Sequence, residues 1–500
     1  MCGVVGVIGS SQAAKEVFLA LTMLQHRGQD AAGILTYDED GFHRVRNLGL
    51  VESAFTPNDL EILTGSAAIG HARYSTIGRG DVADVQPFLV SYPFGIGMVH
   101  NGNLVNFSQL SEKLKTESRR HPLTHSDTEA IMNLFAEGMS EMRDEKANYF
   151  EGICKATERV FQEAHGSYSI VSLIAEVGLV CFRDPLGIRP LIFGKHPKTG
   201  AYLVASESAV LYFLGYEVVR DVAPGEVVWI DFKGKFHSRV LARVLEKREP
   251  SHCMFEWVYF SSPETVLEGQ AVYASRIGLG KNLAPQVRAR LKADGIEDPL
   301  IVPVPETARI AAIALAEELG APYRELLIKN RYIKRTFILD SPEKRQQAVD
   351  LKLSPVVSEL KGRNVLLVDD SIVRGTTSRK IIDLVRRAGA ARVYFVSTCP
   401  PIRKPCFYGI DFPDEAELLA SDRKISAIEK DLGADGVIYQ TLEGLKRSIG
   451  TPQKKIGLCH ACLDGDYPTD VSLALKLTAK RKSDRLENKQ DLKTKKERKT

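Results

Sequence analysis

No apolar run in this 500-residue chain approaches the roughly 20 residues that cross a bilayer as a helix, which excludes a helical membrane protein. The short stretch Val4 to Ile8 is too brief for a secretory signal, and cleavage there would discard Cys2. The body of the chain also lacks an excess of positive charge. Residues 476–500 hold eleven Lys or Arg against four Asp or Glu, a surplus of +7 within a net charge of +4, so the remainder carries −3. Nucleic acid is therefore not an expected partner of the body, and the basic 476–500 tail reads as a solvated, disordered extension. Eight cysteines are too few for a disulfide scaffold. A reducing cytoplasm is the expected location, where thiols serve catalysis or metal binding. Hydrophobic residues at 44% and charged residues at 26% supply a core and a hydrated surface, which excludes disorder overall.

What is present falls into two halves, as the length predicts. From residue 2 to about 231 the chain reads as short strands, among them Ala67–His71, Gly95–His100, Tyr168–Ile174, Gly178–Phe182, Tyr202–Ala205 and Glu226–Ile230. Ser11 is placed to cap a helix over Gln12–His26. Residues 232–251, rich in Lys, Arg and Glu without an apolar period, read as a linker. From 252 to 470 strands alternate with helices, the pattern of a parallel sheet. An α+β half followed by an α/β half is expected.

Residues 365–377 carry the densest chemistry. Val365–Val368 is an unbroken apolar strand suited to burial on both faces, and ligands collect at the carboxyl ends of such strands. Asp369 and Asp370 follow, then Ser371, Gly375, Thr376 and Thr377 ahead of a helix over Ser378–Ala388. Backbone N–H groups, hydroxyls and a helix N-terminus attract phosphate, while the carboxylates accept from ribose hydroxyls or approach magnesium. This stretch resembles the phosphoribosyl diphosphate signature of the type I phosphoribosyltransferases. The resemblance implies phosphoribosyl pyrophosphate as substrate and adds Thr307, after the strand Pro299–Val304, to a Mg2+ site with Asp369 and Asp370. A helix cap over residues 307–316 explains Thr307 equally well. The basic run 329–337 with Arg331 and Arg335, followed by Lys352, resembles the loop that closes over the pyrophosphate in that family.

At the other end, removal of Met1 leaves Cys2 as first residue, and a terminal cysteine carries its own base. An α-amino group of pKa about 8 can take the thiol proton directly or through water. Four further segments, His26–Gly33, Gly70–Thr76, His100–Asn103 and Ser126–Asp127, accompany it. Together they resemble the glutaminase domain of the class II glutamine amidotransferases, which are N-terminal nucleophile hydrolases. The resemblance implies an αββα sandwich, Cys2 as nucleophile, and an oxyanion hole from the Asn101 side chain and the Gly102 N–H. It also implies Arg73 and Asp127 as partners of the glutamine carboxylate and ammonium. The chemistry suits these roles: amide attack develops an oxyanion, and a fork of N–H donors matches a carboxylate.

The remaining constellation is Cys459-His460-Ala461-Cys462 with distant Cys253 and Cys406. Spacing alone fits structural zinc, an iron–sulfur cluster or unliganded thiols. Taken whole, the chain is similar to the glutamine phosphoribosylpyrophosphate amidotransferase family, some members of which hold a [4Fe-4S] cluster on cysteines in these contexts. That resemblance implies transfer of glutamine nitrogen to phosphoribosyl pyrophosphate, with pyrophosphate, glutamate and phosphoribosylamine as products and a dry passage for ammonia. It implies purine nucleotide inhibitors and a homodimer or homotetramer. The alternatives are a glutamine amidotransferase with another acceptor and a non-catalytic nucleotide or redox sensor. Cys154, Cys181 and Cys399 lie in or near apolar segments and read as buried structural residues.

Overall fold

The computed structural model describes residues 1–74, 82–141, 148–241, 249–330, 353–412, 414–450 and 456–476. The first half contains β1 (Gly3–Ile8), β2 (Ala31–Asp38), β3 (Gly41–Leu48), β4 (Ala67–Arg73), β5 (Phe88–Val90), β6 (Ile96–Leu104), β7 (Gly166–Ile174), β8 (Gly178–Arg183), β9 (Ile192–Lys195), β10 (Tyr202–Ala205), β11 (Glu217–Asp221), β12 (Glu226–Ile230) and β13 (Phe236–Val240). One sheet has the order β11-β9-β10-β1-β4-β2-β3 and the other β13-β12-β8-β7-β6-β5. Val4, Leu35 and Ile69 from the first meet Val99, Val171 and Leu179 from the second in a shared apolar layer. Helix Ala13–Met23 covers the outside of the first sheet with Val17 and Leu21, and helices Asp127–Ser140 and Tyr149–Glu163 cover the second with Ile131, Phe135 and Ile153. The result is four layers, αββα. β1 is buried along its whole length, as a strand without polar alternation at the centre of a covered sheet must be.

Ser11 does not cap the first helix: Gln12 occupies the N-cap without a side-chain bond, and Ser10 Oγ accepts from the Gln12 N–H while donating to Glu16. The 232–251 stretch is not linker throughout. β13 lies inside it and pairs with β12 across a turn closed by Asp231, which accepts from the Lys233 and Lys235 N–H groups. An edge strand needs little apolar surface, so its charge content disguised it.

The second half is built on four parallel strands, Pro299–Pro303, Asn364–Asp369, Arg392–Ser397 and Gly436–Tyr439, adjacent in that order. Helix Thr376–Arg387 packs Ile381, Ile382 and Val385 on one face; helices Val272–Ala293 and Arg309–Leu319 pack Leu283, Val287 and Leu315 on the other. Thr376, not Ser378, begins its helix, because Gly375 in the left-handed region supplies the N-cap just before it. The halves share a core in which Leu24 and Ile188 pack with Met254, Phe255, Trp257 and Tyr408.

Candidate functional sites

Strand pairing brings the N-terminal residues together. β1 runs antiparallel to β4, with Gly3 opposite Ala72, which delivers Cys2 to the end of β4 where Arg73 emerges. Cys2, Arg73, Gly102 and Asp127 line one cavity, joined by Asp84, Gln86 and His100. The Cys2 backbone nitrogen donates to Asn101 Oδ1 at 3.2 Å. With its oxygen so engaged, Asn101 leaves Nδ2 buried and without a hydrogen-bond partner in the described structure. A buried donor with nothing to satisfy it is costly, and an oxyanion would satisfy it. Gly102 follows, and a Cβ there would lie 2.0 Å from the Ser167 carbonyl oxygen, so only glycine fits.

The cavity's charges are ordered around His100. Its Nδ1 lies 3.3 Å from Asp127 Oδ1. Burial disfavours the imidazolium, yet Asp127 outweighs it and holds His100 above its ordinary value. Asp127, for its part, is also penalised by burial, but His100 and the Leu104 N–H draw it below the usual carboxylate range. Arg73 Nη2 lies 3.7 Å from Asp84. Beneath them His71, fully buried, is lowered to about 3 by burial and by the nearby Arg73 and His100, so it is neutral.

In the second half, Asp369 ends its strand and Asp370 follows, buried. Asp370 accepts from the Ser371 hydroxyl at 2.7 Å and from Thr307 Oγ1. The Thr307 hydroxyl therefore does not cap the following helix, whose N-cap is Ala308. Asp369 is raised well above the carboxylate range by burial and by Asp370; Asp370 is raised by burial despite its hydroxyl partners. Two adjacent carboxylates that repel each other, one half-buried and one buried, are a donor set suited to a cation. Thr376 and Thr377 are exposed at the N-terminus of their helix. Arg331, Arg335 and Lys352 lie outside the described residues.

The four cysteines converge. Strand His252–Cys253 pairs in parallel with Leu458–Cys459, which sets Cys253 beside Cys459, and Cys462 follows on the helix Ala461–Asp464. With Cys406 these line one mostly apolar cavity closed by Ile188 and Tyr467. Burial pushes the Cys253 thiol up to about 11 and raises Cys459 and Cys462 further. Among the described residues no three His, Cys, Asp or Glu side chains are gathered closely enough to hold a single metal ion. The other thiols, Cys154, Cys181 and Cys399, are buried.

A buried ionic network between the halves leaves no signal in the local sequence pattern. Arg27 meets Glu207 through Nε and Glu256 through Nη2 at 2.6 Å, and Arg189 Nη1 lies 3.6 Å from Glu256. Arg27 sits inside the quoted His26–Gly33 motif, but its partners are too distant in sequence to leave a local signal. The amino group of Met1 lies near these groups and is lowered to about 6, first by burial and then by Arg189 and Arg27.

An Ntn-type αββα half with a cysteine at position 2, joined to a parallel-sheet half with an acidic strand end, defines a glutamine amidotransferase fused to a phosphoribosyltransferase. Residues 71–212 match the glutamine amidotransferase domain family and residues 278–408 the phosphoribosyl transferase domain family. The chain is 43% identical to the amidophosphoribosyltransferase of Escherichia coli over 89% of its own length and 88% of the relative's. It is 42% identical to that of Methanothermobacter thermautotrophicus, covering 94% and 95%. A solved glutamine phosphoribosylpyrophosphate amidotransferase from B. subtilis, complexed with ADP and GMP, superposes with a TM-score of 0.81 at 36% identity, covering 94% of this chain and 98% of that one. The chain belongs to the amidophosphoribosyltransferase family.

Proposed function

We propose that the chain performs the amidophosphoribosyltransferase reaction, the first step of purine biosynthesis, with the two halves dividing the chemistry. Glutamine is hydrolysed to glutamate and ammonia in the first half. In the second, the ammonia nitrogen attacks C1 of phosphoribosyl pyrophosphate, the C1–O bond breaks, and pyrophosphate leaves. The observation that carries the division is the convergence of Cys2, Arg73, Gly102 and Asp127 on one cavity while Asp369, Asp370 and Thr307 meet at the end of a separate sheet.

Once Met1 is removed, the nitrogen that faces Asn101 Oδ1 becomes the α-amine that takes the Cys2 thiol proton. The thiolate attacks the glutamine amide, and the Asn101 Nδ2 and Gly102 N–H donors receive the oxyanion. Arg73 binds the substrate carboxylate. Asp127 binds the substrate ammonium, exchanging His100 for a second cation. At the other site Gly375–Thr377 and the helix N-terminus hold the 5′-phosphate, with Ser371 alongside, and Arg331, Arg335 and Lys352 face the pyrophosphate. Asp369, Asp370 and Thr307 would hold Mg2+, which would supply charge neutralisation to the leaving pyrophosphate. Ammonia is largely protonated in neutral water and so lacks its lone pair, which calls for a dry passage between the halves.

Cys253, Cys406, Cys459 and Cys462 hold a [4Fe-4S] cluster in this reading. The four thiols lining one mostly apolar cavity support a shared metal–sulfur group, which would serve as a structural tie since no electron moves in the reaction. The ADP and GMP of the B. subtilis protein support purine nucleotides as inhibitors, and a homodimer or homotetramer is the proposed assembly. The domain division proposed is 2–231, 252–470 and a basic tail from 476, with β13 assigned to the first unit.

The test is pyrophosphate release that requires both phosphoribosyl pyrophosphate and glutamine, repeated with Cys2→Ala. The variant should lose glutamine use and keep synthesis from high external ammonia; equal loss of both would count against the division. Iron and sulfide analysis of anaerobically purified protein tests the cluster, and zinc in their place would refute it.

A further inference from the structure

The turn that carries Cys406 is bonded to the strand that carries the oxyanion donors. Asn103 Nδ2 donates to the Phe407 carbonyl at 2.9 Å. Ser167, fully buried on β7, accepts from the Asn103 N–H at 3.2 Å and donates to the Tyr408 carbonyl at 3.0 Å. The same carbonyl accepts from Arg189 Nη2. Gly409 completes the contact: at φ +96° it stands so close to β6 that a Cβ would lie 3.1 Å from the Gly102 carbonyl oxygen. Residues 407–409 thus grip 102–103 from a distance of about 300 positions in the chain, with backbone carbonyls as acceptors and a buried hydroxyl as the relay.

We propose that this turn is a positioning element of the glutaminase: Ser167 and Asn103 lock it against β6 and thereby fix Asn101 and Gly102 in the geometry that receives the oxyanion. The inference rests on the reading of Asn101 and Gly102 as oxyanion donors. Oxyanion stabilisation depends on donors held in place before charge develops, so a strand released by a few tenths of an ångström loses rate without losing substrate. The second half, through the loop of its own cysteine site, therefore contributes to chemistry in the first. None of the contacting side chains on the turn takes part, since Phe407 and Tyr408 act through their carbonyls.

The experiment compares full-length wild type, Ser167→Ala and Asn103→Ala for glutamine-dependent and ammonia-dependent pyrophosphate release. Loss of one or two hydrogen bonds that hold the strand should lower kcat with glutamine about tenfold in each variant, with the ammonia-dependent rate within about twofold of wild type in both and KM for glutamine within about twofold in Ser167→Ala, since Asn103 also lines the cavity of Cys2. Should Ser167→Ala fail to fold, Asn103→Ala, whose side chain is half-buried, carries the test. Unchanged kcat with glutamine, or equal loss of both activities, overturns the inference. Asn101→Asp separates the two readings: if it keeps full glutamine use, the oxyanion assignment fails and this inference with it, whereas an inactive Asn101→Asp beside unaffected Ser167→Ala and Asn103→Ala removes the inference alone.

Discussion

Arg27 and Glu256, 229 positions apart, meet as a buried ion pair at 2.6 Å between the two halves of the chain. Burial disfavours the Arg27 charge, but Glu256 and Glu207 outweigh it and raise the guanidinium above its ordinary range. Such a pair is weak evidence of net stabilisation, yet removing one partner strands the other charge in a dry site at a cost of about 3–5 kcal/mol. Glu256→Gln should accordingly lower the thermal midpoint markedly, with Arg27 and Arg189 left undercompensated. A midpoint equal to wild type would show that water reaches the network.

Asn101 presents a buried, unpartnered Nδ2 beside the proposed nucleophile. Replacing it with Asp retains shape and removes the donor. Glutamine-dependent kcat should fall about 100- to 1,000-fold, the cost of one oxyanion-hole donor, while ammonia-dependent synthesis persists. Steady-state kinetics with each nitrogen source decide it.

The His100–Asp127 pair gives a pH signature. Asp127 is depressed in the folded protein, so its contribution is present above an unfolded value of about 4 and is lost as pH falls through the lower folded value. His100 is raised, so its contribution is complete below about 6.5 and is lost as pH rises through the higher folded value. Non-additivity of the thermal midpoints of His100→Gln, Asp127→Asn and the double variant should therefore peak between about pH 4 and 6.5. A flat profile would contradict the pairing.

Asp369 and Asp370 are both raised, by burial and, for Asp369, by its neighbour. Ionising them near neutral pH costs the ligand-free fold stability. Asp370→Asn should raise the thermal midpoint without Mg2+ and phosphoribosyl pyrophosphate, and lower synthesis from either nitrogen source, a trade of stability against function. Faster turnover, or a lower midpoint in the ligand-free protein, would speak against an acidic cation site.

Much of the fold was legible in local pattern. Val365–Val368 read correctly as a strand because burial on both faces removes polar alternation, and Tyr202–Ala205 and Glu226–Ile230 matched residue for residue. Errors fell where surface chemistry misled. β13 was hidden by its charges, the N-cap expected at Ser11 fell to Gln12, and the Thr307 hydroxyl turned to Asp370, a partner 63 positions away. His100, Asp84 and Gln86 joined the cavity of Cys2 without individual notice, because nothing local marks a residue that strand pairing will bring to Cys2.

The chain's order of residues determined the elements of its two chemistries: a cysteine at position 2, and an apolar strand ending in two acids before a glycine–threonine turn, each dictated within about a dozen positions by short-range geometry. Tertiary structure alone decided how these parts face one another. Arg27 found Glu256, Ser167 found Tyr408 and Cys253 found Cys459 because sheets and helices had to bury a common core, and a contact made across hundreds of residues leaves no period or spacing to read.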